Sequence, residues 1–155
     1  MPNYTGTLSD FGLDPQPGLH PILRFVPSGG AVDGGRVLFA REMPIVPDAA
    51  GAFSVFLHDL SSVRPACWYT AHVVWLNGED IPVGRTDIPG QIFTTSTGGP
   101  IGDWIVTDGS SAGLIWYGLA PPTVRGRYVF WNKVDASNLD GNYDLTVGDI
   151  YEWRP

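Results

Sequence analysis

Apolar and polar positions alternate with a period of two through most of the chain. The clearest case is Phe53, Val55 and Leu57, which alternate with Ser54 and Phe56 directly after Asp48-Ala-Ala-Gly51. A period of two marks a strand with one face in a core. Gly51, closing a short Asp/Ala cluster, supplies the positive φ that a tight turn wants. Residues 67–76 form the longest strand candidate, with Trp68, Thr70, His72, Val74 and Leu76 on one face and Tyr69, Ala71, Val73 and Trp75 on the other. Both faces are largely apolar, which predicts a central strand. Further strands are predicted over 4–8, 22–26, 36–41 and 43–46. In the last of these Pro44 lacks an N–H, which favours a sheet edge or a bulge. Asn77-Gly78 reads as a hairpin turn, with short strands at 81–83 and 91–95. Residues 96–100 (Ser-Thr-Gly-Gly-Pro) read as a linker. Beyond it, strands are predicted at 103–106, 113–117, 127–131 and 149–153. No window of helical length shows an i, i+3, i+4 pattern, and residues 137–147 hold at most one helical turn. The expectation is all-β: an antiparallel β-sandwich over residues 1–96, then a small aromatic-rich β module over 97–155.

Composition supports that picture and narrows the partners. The 155 residues are 43% hydrophobic, enough for a packed core, and the 20 Gly and 14 Pro suit many short strands joined by turns. Net charge is −7, and Lys133 is the only lysine. An acidic surface without a basic cluster repels phosphate backbones and argues against a nucleic-acid partner. A single cysteine, Cys67, permits no intrachain disulfide and reads as a small buried hydrophobe. The start Met-Pro-Asn-Tyr-Thr carries no basic or apolar leader region, and no apolar run is long enough to span a bilayer. The expectation is a soluble product made in the cytoplasm without a signal peptide.

Candidate chemistry is sparse. Gly109-Ser-Ser111-Ala-Gly113 matches the G-x-S-x-G nucleophile elbow, which works by lifting Ser above a strand-to-helix turn. Here a strand-like run follows instead of a helix, and His20, His58 and His72 all precede the serine. A Gly/Ser turn is the plainer reading, and a small hydrolase using Ser111 is the remote one. The histidines lack metal-ligand spacing. Residues 135–144 have some calcium-loop character, but with Gly141 at the sixth loop position Ala136 and Val147 fall where ligands are required. Adjacent Glu79 and Asp80 point apart and make no acid–base pair across a cleft. No cofactor or metal is implied. The unusual feature is aromatic: Trp104, Trp116, Tyr117, Tyr128, Trp131, Tyr151 and Trp153 crowd a segment too small to bury them all. They are therefore candidates for subunit contact or, as the alternative, for stacking sugars.

Two resemblances attach to these residues. Tyr4-Thr-Gly-Thr-Leu8, Pro17-Gly18 leading into residues 22–26, the 48–57 turn and strand, and Trp68 to Trp75 together resemble small transthyretin-like or carboxypeptidase-regulatory-like sandwiches, with fibronectin type III as the near alternative. Such modules imply structural or adhesive work. Gly148-Asp-Ile-Tyr-Glu-Trp153 resembles the ending of bacteriophage tail-fibre and minor tail proteins. There it follows a strand whose place is taken here by Gly126-Arg-Tyr-Val-Phe-Trp-Asn132. That resemblance implies a non-enzymatic virion protein of the tail, at the tip or as a fibre or adhesin subunit. Its implied partners are other tail proteins and copies of itself, with a trimer implied by the fibre resemblance, and host-surface glycan as a further target. The alternative function is a carbohydrate-binding module.

Overall fold

The computed structural model describes residues 1–106, 114–124, 128–134 and 149–152. Its strands are β1 (Asn3–Thr7), β2 (His20–Pro27), β3 (Ala31–Asp33), β4 (Arg36–Leu38), β5 (Met43–Ile45), β6 (Ala52–Phe56), β7 (Tyr69–Leu76), β8 (Pro82–Ile92), β9 (Gly99–Pro100), β10 (Ile105–Val106), β11 (Leu114–Gly118), β12 (Tyr128–Lys133) and β13 (Asp149–Glu152). Two single-turn 3-10 helices, Leu8–Phe11 and Ile101–Trp104, are the only helical elements among the described residues. The fold is all-β and sandwich-like. A three-stranded sheet in the order β6-β1-β9 faces a large sheet in the order β13-β12-β11-β8-β7-β2-β5, and β3 and β4 form a separate hairpin.

The alternating strand does what its pattern requires. Phe53, Val55 and Leu57 are buried while Ser54 and Phe56 are exposed. Its turn is built by Asp48, whose Oδ1 accepts from the N–H groups of Ala50 and Ala52, both at 2.9 Å. Gly51 takes φ 82°, a conformation that costs glycine nothing. Phe53 stacks on Phe11 at 5.9 Å and leans on Phe25 of the opposite sheet at 6.0 Å, which joins the two layers. β7 is central, flanked by β2 and β8, and β5 with Pro44 is an edge. A ladder cannot continue through a residue with no N–H, so the proline sits where the ladder ends.

Several expectations are corrected. Residues 81–83 and 91–95 are not separate strands. β8 runs from Pro82 to Ile92 without interruption through Gly84 and Pro89-Gly90, with register shifts against β7. The β7–β8 turn is longer than a two-residue Asn-Gly hairpin. Asn77 Oδ1 accepts from the Glu79 and Ile81 N–H groups, and the positive φ of 59° falls on Asp80 rather than Gly78. Residues 39–41 leave the strand, and 101–104 form a 3-10 turn. Gly99–Pro100 is not a free linker but pairs in parallel with β1. β11 and β12 are also parallel, so the sheets are mainly, not wholly, antiparallel.

Residues beyond 96 share the core of those before it. β11 pairs with β8, and Leu114, Trp116 and Tyr128 belong to the same buried cluster as Tyr4, Phe25 and Trp75. Trp116 packs on Trp75 at 6.0 Å and edge-on to Tyr128 at 5.5 Å. Its indole lies flat where a side chain on Gly84 would otherwise sit, so glycine at 84 is a requirement of packing. A buried polar chain crosses the same strands: Trp75 Nε1–H donates to Thr86 Oγ1 at 3.2 Å, and Thr86 Oγ1 meets the Tyr128 hydroxyl at 2.5 Å. Gln16 clamps the residues after β11 by bonding both the N–H and the C=O of Val124 at 2.8 Å.

Candidate functional site: an apolar groove between two sheet edges

Among the described residues a concavity lies where the sandwich is open, between edge strand β5 of the large sheet and edge strand β6 of the small one. Its volume is about 570 Å³. Met1, Val37, Phe39, Met43, Ile45 and Phe56 line it, and buried Val55, Leu60, Cys67 and Tyr69 close its floor. Local rules put these side chains here. The β3–β4 hairpin is closed by Gly34-Gly35 and carries Val37 and Phe39 outward, while Phe56 occupies a solvent-facing position of an alternating strand. Phe39 is 83% exposed, Val37 62%, Phe56 59% and Met1 70%. Apolar patches of a few hundred Å² on a soluble protein are often functional.

The groove is poor in reactive groups. Burial raises the Cys67 thiol pKa above its ordinary value, which keeps it protonated and unreactive. His58 Nε2 stands 3.4 Å from Asp33 Oδ2, and Ser62 Oγ donates to Asp33 Oδ1 at 3.2 Å. A nucleophilic serine needs its base at the hydroxyl. Here the hydroxyl is spent on the carboxylate, so the three residues tie the hairpin to the 58–62 loop and form no relay. Among the described residues no three His, Cys, Asp or Glu side chains converge as metal ligands would. Nor is any helix among them long and apolar enough to cross a membrane.

His72 sits on the outer face of β7 and is buried. Desolvation first, then Arg85 and Arg24, push its pKa down to about 3, so the ring is neutral. Each arginine has a carboxylate partner, Glu42 at 3.4 Å for Arg24 and Asp87 at 2.8 Å for Arg85.

Five of the seven aromatic residues picked out in the sequence lie among the described side chains, and three of them are buried. Trp116, Tyr117 and Tyr128 are buried, and Trp104 and Trp131 are half-buried against the core, Trp104 edge-on to Tyr4 at 6.3 Å. Trp116 Nε1 donates to the Ala120 carbonyl at 2.8 Å and Trp131 Nε1 to the Gly118 carbonyl at 3.1 Å. This corrects the premise that their segment is too small to bury them: the segment extends the large sheet and shares its core. Sugar stacking needs an open ring face, which Trp116, Tyr117 and Tyr128 lack. Trp153 and the side chain of Tyr151 lie outside the described residues, as do the Ser111 motif, the 135–144 loop and the one-turn helix expected at 137–147.

Sequence reasoning passed over the groove residues. One signal was present: Phe56 stands on the polar phase of the best-marked strand, where Ser54 is typical and Phe is not. For Val37 and Phe39 no signal existed, because only the β3–β4 fold sets their direction.

Comparison with known proteins adds nothing to this geometry. No family model, curated protein or solved structure matches the chain.

Proposed function

We propose that this chain is a non-enzymatic structural component of a bacteriophage tail, a minor tail protein or a fibre or adhesin subunit, which acts in assembly and host attachment by having its groove covered by protein. The observation that carries the reading is the exposed apolar groove rimmed by Met1, Val37, Phe39 and Phe56. Large exposed apolar surface is what a protein interface uses. The lining of the groove is mainly apolar, which suits contact with protein. The tail assignment rests on the resemblance of Gly148-Asp-Ile-Tyr-Glu-Trp153 to tail-protein endings.

The test is made on particles. Cells carrying the genome that encodes this chain are lysed, and intact particles are examined by mass spectrometry and immunogold electron microscopy. Label at the tail supports the proposal, and loss of that label in a Phe39→Asp variant places the contact in the groove. Intact particles that lack the chain refute it.

A further inference from the structure

We propose that the partner covering the groove is a second copy of this chain, joined by antiparallel pairing of β6 with β6 about a two-fold axis at Val55. The proposal deepens the reading that the groove is covered by protein, and rests on it.

The hydrogen-bond phase of β6 singles out the register. Leu8 N–H donates to Gly51 C=O and Leu57 N–H to Pro2 C=O, so the odd positions of β6 face β1. The even positions therefore turn their N–H and C=O groups to the open edge. Ala52 is already engaged there: its N–H donates to Asp48 Oδ1 and its C=O accepts from Asp48 N–H. Just past the strand, His58 N–H donates to the Tyr69 hydroxyl and its C=O accepts from Thr94 Oγ1. That leaves the N–H and C=O of Ser54 and of Phe56, both on exposed residues. A two-fold axis at Val55 sets each Ser54 opposite Phe56 of the other copy and pairs all of these groups. Centring on Ser54 wastes Phe56 against the occupied Ala52, and centring on Phe56 wastes Ser54 against the occupied His58. Only the Val55 register satisfies the whole edge.

Among the described strands of five residues or more, β6 is the sheet edge left unguarded; β10, which also lacks proline and charge, is only two residues long. Proteins blunt edges with proline, charge or bulges. β5 carries Pro44, β9 is Gly99–Pro100, and β13 begins with Asp149 and ends with Glu152. β6, Ala-Phe-Ser-Val-Phe, has none of these, and its register with β1 is unbroken.

The surface is of the right size. At about 200 Å² per phenylalanine, the exposed parts of Phe39 and Phe56 amount to about 280 Å². Met1 and Val37 add to this on the same groove. A standard interface buries about 800 Å² per partner, of which roughly 460 Å² is apolar. Phe39 and Phe56 alone thus offer more than half of the apolar share of a standard interface. In the paired edge the two Phe56 rings become diagonal neighbours, within reach of each other. The two three-stranded sheets become one continuous six-stranded sheet.

Sedimentation equilibrium of the full chain tests the proposal. The expected mass is twice 16.8 kDa, and association tightens as salt screens the repulsion between two chains of charge −7. Ser54→Pro deletes an N–H that the monomer does not use, and Phe56→Lys places a charge on the edge. Each is expected to weaken association at least about ten-fold, with the circular dichroism of the dilute chain unchanged. Ser54→Pro also removes the exposed Ser54 Oγ–Asn3 Oδ1 bond. Ser54→Ala, which loses that bond and keeps the N–H, is its control and is expected to associate as the parent does. In an equimolar mixture of Ser54→Cys and Phe56→Cys chains, the mixed disulfide is expected to exceed the share of about one half that random pairing of two species gives. A monomer across the soluble range, a dimer indifferent to both edge variants, or an excess of like pairs overturns the proposal. The two readings fail separately. A monomer whose Phe39→Asp variant is still lost from particles sinks β6 pairing and leaves the tail reading standing. A β6 dimer absent from intact particles does the reverse.

Discussion

Replacing Trp116 by Ala removes the largest side chain shared between the early strands and the late ones. The ring is 2% exposed, rests on Gly84, and touches Trp75 and Tyr128. Truncating a buried Trp or Phe to Ala costs about 3–5 kcal/mol, the sum of lost transfer energy and the cavity left behind. The Nε1–H bond to the Ala120 carbonyl adds little, because Ala120 is exposed and water replaces the donor. A domain of this size holds about 5–15 kcal/mol in total, so the variant loses a large part of its stability. With a urea slope of about 2 kcal/mol per molar, the midpoint falls by roughly 2 M, and melting drops by roughly 6–20 °C.

Urea titration followed by far-ultraviolet circular dichroism and by fluorescence measures this, and coincident curves license the two-state treatment. Gly84→Ala serves as the converse, since its added methyl collides with the same indole and overpacking costs about 1–3 kcal/mol. A Trp116→Ala chain within about 0.5 kcal/mol of the parent, the range of ordinary surface changes, would refute the shared core. It would return Trp116 to the surface contact role that its neighbours in sequence suggested.

Two further outcomes follow from local chemistry. The His72 ring stays neutral in the fold down to about pH 3, while the unfolded chain takes up that proton near 6.5. Its contribution is therefore complete above pH 6.5 and is lost as pH falls toward 3, at up to about 1.4 kcal/mol per pH unit. Urea midpoints of His72→Gln should fall less steeply with acid than those of the parent, and parallel curves would count against the burial argument. Asp48→Ala leaves the Ala50 and Ala52 N–H groups without their acceptor and should lower stability by about 1–2 kcal/mol. Asp48→Asn, which keeps an oxygen at that place, should recover most of the loss in the same titration.

Where a rule acts within a few residues, the sequence was readable. The 48–51 turn, the inward Phe53, Val55 and Leu57, the central position of β7 and the edge position of β5 all follow from a turn residue, a period of two, a two-faced apolar run or a missing N–H. Where two distant segments decide together, it was not. Gly84 and Pro89-Gly90 look like strand breakers, yet β8 runs through them, because Gly84 is the seat for Trp116 and strands on both sides supply the ladder. Trp116 looked surplus because strands β7 and β8 that help to bury it come from the earlier part of the chain. The groove was unreadable for a similar reason: it is the space between the β5 and β6 edges, and neither strand contains it alone. The sequence by itself determined the all-β class, the principal strands and the inward phase of β6, since these depend on backbone geometry and local hydrophobic period. Tertiary structure alone decided that the early and late strands share one core, that Phe39 and Phe56 face a common groove, and that the outer side of β6 is left as an open edge.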